Sequence, residues 1–136
     1  MLDRVVKFGY FGNVNRALRQ RLEEEVPKRL GELLAVPPSR VKVHRQPAAG
    51  RGKPAEADLL VTVGDFNFVV ECKASGQAAS VAMAARSARE FAEQLKKKSI
   101  PLVAVPYMGE VGQRLCEETE VCWLDLSGNA HLVAPG

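Results

Sequence analysis

The stretch from Asp58 to Lys73 constrains this chain more than any other part of it. Two β-rich runs, Asp58-Leu59-Leu60-Val61-Thr62-Val63 and Phe66-Asn67-Phe68-Val69-Val70-Glu71-Cys72-Lys73, flank Gly64-Asp65. Glycine in the first place of a two-residue loop is the mark of a hairpin closed by a type II′ turn. That loop length sets the register, with Val63 facing Phe66, Thr62 facing Asn67, Leu60 facing Val69 and Asp58 facing Glu71. Side chains alternate across a strand. Asp58, Leu60, Thr62, Asn67, Val69, Glu71 and Lys73 therefore share one face, while Leu59, Val61, Val63, Phe66, Phe68, Val70 and Cys72 form a wholly apolar one.

The register sets two carboxylates directly opposite each other, with a lysine one step further along. Like charges so placed are destabilising, because their Cβ atoms lie only about 5 Å apart. A sheet built for structure alone has no reason to keep them. A divalent cation would neutralise the pair, and hard oxygen ligands with positions left for water suit Mg²⁺. A lysine at that place would orient or deprotonate an attacking water, or offset charge building on a phosphate.

Asp58, a spacer, and then Glu71-Cys72-Lys73 at the end of the next strand resemble the PD-(D/E)XK nuclease superfamily, which includes restriction endonucleases, Holliday-junction resolvases and DNA-repair nucleases. The resemblance implies a Mg²⁺ or Mn²⁺ centre held by Asp58, Glu71 and the backbone carbonyl of Cys72, with Lys73 assisting catalysis. It implies DNA as partner and substrate, and often a homodimer that cuts two strands. Ala57 stands where the family's name has proline, at a position that varies among its members.

A chain of 136 residues fits one domain, residues 1–136, with a core that needs no staples. Hydrophobic content of 46% and charged content of 26% are ordinary for a globular protein. A net charge of +3 permits a nucleic-acid partner without arguing for one. Cys72, Cys116 and Cys122 form no CxxC pair and no disulfide framework, which suggests the reducing cytoplasm. The charged start, Met1 to Lys7, does not read as a signal peptide, and no apolar run approaches a membrane span.

Taken in order, the chain predicts a helix capped by Asn13, with Val14, Ala17, Leu18 and Leu22 as its buried stripe. Pro27 is expected to kink this helix or open a second one. On that stripe Glu25 faces inward and Glu23 outward. Many superfamily members carry a helical glutamate near the metal, so Glu25 is the candidate additional acid. A short strand over Val41 to His44 follows, then a Gly/Pro-rich loop in which Arg51 and Lys53 are candidate phosphate contacts. A long helix from about Ser80 to Lys98 is expected next, with Val81, Ala84, Ala85, Ala88, Phe91, Ala92 and Leu95 inward and the lysines at its end. A buried strand from Ile100 to Val105, a helix from Gly109 to Thr119 and strands at Val121 to Leu124 and Ala130 to Val133 complete the order. The fold class is thus α/β: an αβββαβ core like that of restriction endonucleases, with a mixed sheet flanked by helices and a C-terminal helix plus β-hairpin.

The tail, Val105-Pro106-Tyr107 and then Trp123 to Ala130, resembles bacterial restriction-endonuclease-like domains that often precede a helix-turn-helix region, some of them related to antitoxin-type regulators. That likeness implies an excised domain or a short member, with a helix-turn-helix downstream in a longer protein. It also supports a rival reading, a non-catalytic DNA-binding or regulatory module. Within the tail, Asp125 and Asn129 are expected to shape a turn rather than do chemistry. A plain interaction domain, with Glu71 and Lys73 as an ion pair, leaves Asp58 unexplained.

Overall fold

The computed structural model describes residues 2–45, 58–95 and 97–133, with side chains from Val14 onward. It opens on helix α1, Leu2–Leu33, which is longer than the sequence suggested and runs through Pro27. Asn13 therefore lies inside the helix rather than at its start. The helix ends by a double closure in which Val36 N–H donates to Gly31 O at 2.8 Å and Ala35 N–H to Glu32 O at 3.2 Å. Ala35 takes the left-handed conformation (φ 54°) that such an ending requires. A short 3-10 turn, Pro38–Arg40, then leads into strand β1, Val41–Arg45.

Strands β2, Leu59–Val63, and β3, Phe66–Cys72, form the expected hairpin in the expected register, from Val63↔Phe66 to Leu59↔Val70. Gly64 has φ 60° and Asp65 does not share its positive φ, as a type II′ turn demands. Helix α2 spans Ala78–Gln94, β4 Ile100–Val105, α3 Glu110–Glu118, β5 Cys122–Asp125 and β6 Ala130–His131. Helix α2 stops short of the lysine cluster, and Lys97 and Lys98 lie exposed beyond it.

Among the described residues the result is an α/β fold with one six-stranded mixed sheet and three α-helices, the strands lying in sequence order. Strands β1, β2 and β3 are antiparallel, β3, β4 and β5 parallel, and β6 returns antiparallel to β5. Helix α1 covers one face, setting Leu22, Val26 and Leu30 on Leu59, Val61, Phe68, Val70 and Cys72. Helices α2 and α3 cover the other, with Val81, Ala84 and Ala85 against Val103, Val105 and Trp123, and Ala88 against Val69. No helix among the described residues is long and apolar enough to cross a membrane.

Chain direction gathers the end of β1, the start of β2 and the carboxyl ends of β3, β4 and β5 at one rim of the sheet. Asp125 braces that rim from within. Its Oδ1 accepts the N–H groups of Ser127 and Asn129 at 3.0 and 2.9 Å, and its Oδ2 accepts that of Met108 at 3.0 Å. It is a turn-shaping carboxylate, as its sequence context suggested.

Candidate functional site

The rim at the open end of the β2–β3 hairpin brings together Asp58, Glu71 and Lys73. The ladder stops at Leu59↔Val70, and continuing its register by one sets Asp58 opposite Glu71. Asp58 Oδ2 accepts the backbone N–H of Cys72 at 2.8 Å, so a carboxylate extends the strand pairing where the ladder ends. A residue's N–H and C=O leave the same side of a strand. The Cys72 carbonyl therefore faces the side on which Asp58 stands, whereas Lys73 N–H turns to β4 and donates to Ala104 O at 3.0 Å.

Glu71 is only 5% exposed. Its pKa is raised to about 7, first by burial and then by the charge of the Asp58 carboxylate and a hydrogen bond with it, against the pull of Lys73 and Arg19. Its Oε1 is buried with no hydrogen-bond partner among the described residues. A buried, unsatisfied carboxyl oxygen is costly, and it is the observation on which a cation can be tested. An orphan oxygen beside a second carboxylate suits a hard divalent ion. Among the described residues no cluster of three or more His, Cys, Asp and Glu side chains forms a metal site. The fit is therefore to two carboxylates and the Cys72 carbonyl with water completing the shell, an arrangement that Mg²⁺ accepts.

Lys73 is half-buried and makes no ion pair within 4.0 Å among the described residues, although its charge reaches Glu71. Its ammonium thus acts on Glu71 by charge without being held in an ion pair by any described acid.

Helix α1 contributes two residues one turn apart that the sequence reading did not assign to the site. Arg19 Nη2 lies 3.0 Å from Asp58 Oδ1, with side-chain exposures of 49% and 18%. Glu23 pairs with Arg45 at the end of β1, is 16% exposed, and lies near enough to Cys72 to raise its thiol pKa behind burial and Asp58. Glu25, the expected helical acid, is half-buried and has no ion pair with any described residue. The stripe read from Val14, Ala17 and Leu18 is half-buried or exposed, and the true line is Leu22, Val26 and Leu30. Counting back from Val26 and Leu30 by sevens and fours reaches Arg19 and Glu23, so the signal was present but anchored on the wrong turn. Arg51 and Lys53 lie outside the described residues.

The three thiols take no part. Cys72, Cys116 and Cys122 are all free and buried. Burial pushes the Cys116 thiol up to about 12 and raises the other two.

No protein-family model, no curated protein and no solved structure matches this chain.

Proposed function

We propose that this chain is a PD-(D/E)XK-type nuclease domain with a restriction-endonuclease-like arrangement, hydrolysing phosphodiester bonds of DNA with Mg²⁺ or Mn²⁺. The observation that carries the reading is the buried Glu71 oxygen without a partner among the described residues, set beside Asp58 at the open end of a hairpin with a two-residue loop. Asp58 and Glu71 would hold the ion, with the Cys72 carbonyl turned to the same side. The ion, when bound, supplies Lewis-acid stabilisation of the phosphate and lowers the pKa of a bound water. Lys73 brings a positive charge that no acid among the described residues neutralises by contact. Placed there, it stabilises charge that grows on a phosphate oxygen as water attacks. The carboxylates lie at a rim of the sheet, Glu71 buried and Asp58 partly open to solvent, which suits a phosphate that approaches from the Asp58 side.

A second reading, a docking or regulatory module on the same fold, is favoured by one observation: the Arg19 guanidinium already neutralises Asp58. A nicking assay on plasmid DNA separates the two. Nicking that requires Mg²⁺ or Mn²⁺ and is lost in Lys73→Ala supports the nuclease. Binding of DNA without nicking under either metal supports the module.

A further inference from the structure

Two of the acids at the rim are met by an arginine that is half or more in solvent: Arg19 on Asp58 and Arg45 on Glu23. Such pairs add little to stability, because water screens them and two long side chains must be held still. Arg19 is a weak staple for that reason. Its position nonetheless matters to both carboxylates, since its charge also lowers the Glu71 pKa. A divalent cation taking Asp58 Oδ1 repels the Arg19 guanidinium by charge and competes with it for that oxygen, which favours its release. The released group is a planar fork of N–H donors, the side chain best suited to gripping a phosphate through two oxygens. It sits on α1, on the rim that also holds Lys73.

We infer that Arg19 is a phosphate-positioning residue whose availability is gated by the cation. In the cation-free protein its guanidinium neutralises Asp58; when the cation binds, it turns to the DNA backbone beside Lys73. This rests on reading the site as a metal-dependent nuclease centre. Because the two ligands act through one side chain, their coupling is reciprocal: cation strengthens DNA binding, and DNA strengthens cation binding.

The test measures binding rather than turnover, on the full chain in a Lys73→Ala background so that DNA stays intact. Mn²⁺ affinity is followed by calorimetry, and affinity for a fluorescein-labelled DNA duplex by anisotropy with and without Mn²⁺. Arg19→Gln removes the competitor, so Mn²⁺ alone should bind about two- to fivefold tighter. The same variant should lose most of the Mn²⁺-dependent gain in DNA affinity. Arg19→Lys keeps the charge without the fork, and should leave Mn²⁺ affinity close to that of Arg19 while still losing most of the gain. Opposite signs for the two ligands are what an ion pair with only a structural role would not give. If Arg19→Gln changes neither affinity while Mn²⁺ still binds in an Asp58-dependent way, the inference is overturned and the nuclease reading stands. If Mn²⁺ binding does not depend on Asp58 at all, both fall together.

Discussion

Both oxygens of Asp58 are engaged: Oδ2 accepts the Cys72 backbone N–H at 2.8 Å, and Oδ1 receives Arg19 at 3.0 Å. The carboxylate is fixed on two sides before any ligand arrives, and Glu71 meets it there with one oxygen that no described residue satisfies. Asp58 is thus both the end of a strand ladder and half of a charged pair, and these two roles separate under mutation.

Asp58→Asn removes the charge while keeping the shape. Burial is the larger cause of the raised Glu71 pKa and Asp58 the second. The Glu71 pKa should therefore fall partway from about 7 toward the ordinary carboxylate range. Side-chain ¹³C NMR across pH gives the midpoint directly. A midpoint that does not move would leave burial as the whole cause.

Glu71→Gln tests the same residue through stability. The folded carboxyl keeps its proton up to about pH 7, whereas the unfolded chain releases it near 4.5. Between those values the folded state binds more protons, so metal-free stability falls as pH rises. The glutamine variant should escape that decline and exceed wild type at pH 8 by at most about 3 kcal/mol. Urea unfolding at pH 5 and pH 8 makes the comparison, and equal slopes for the two proteins would contradict it.

Mg²⁺ should raise the melting temperature, since a ligand bound only by the folded state stabilises it. Protons compete for Glu71, so the rise should be larger at pH 8 than at pH 6. Asp58→Asn should abolish it. A full metal-induced rise in that variant would place the ion elsewhere.

Lys73→Ala should lower the rate of DNA cleavage about 10²–10³-fold with little loss of DNA or metal binding, as for other preorganised charges that act on the transition state. Single-turnover nicking beside a binding titration measures the split. If the protein only docks on DNA, the variant should instead bind slightly more weakly and lose about one phosphate contact from the salt dependence.

Gly76→Ala probes the turn that carries the chain from Lys73 to α2. A Cβ at Gly76 would lie 2.0 Å from the carbonyl oxygen of Tyr107, a main-chain atom that cannot swing aside. The variant should lose roughly 2–4 kcal/mol by the same physics as overpacking a core. Gly109→Ala, where no atom lies within 4 Å of the added Cβ, is the matched control and should cost about 1 kcal/mol or less. Thermal melts of the two decide it.

The hairpin was legible in the sequence because one short turn dictates it. Once Gly64 opens a two-residue loop, every pair down to Leu59↔Val70 follows, and the apolar face formed by Val61, Phe68 and Val70 agrees with it. The α2 stripe was legible for a similar reason, since Val81, Ala84, Ala85 and Ala88 leave one choice of inward face. Helix α1 was harder to read. Its upper turns carry Val14, Ala17 and Leu18, which the sheet does not bury, and Pro27 looks like a boundary although the helix passes through it. A helical face is set by what it packs against, so a misread rotation of the helix exchanged Glu23 for Glu25, two residues and about 200° apart. Arg19 was missed for a further reason: a charged residue one turn before a buried line becomes part of a site only when a distant strand ends beneath it.

The parts of the rim also differ in how far apart they lie along the chain. Asp58 and Glu71 are brought together by a turn between adjacent strands, whereas the Arg19–Asp58 contact spans 39 residues and requires α1 to dock on the sheet. Loop closure favours near contacts over far ones. As the chain folds, the two carboxylates therefore meet before the guanidinium that will neutralise one of them. Until the helix arrives, only the nearby Lys73 charge, a dissolved cation or a shared proton holds that repulsion in check.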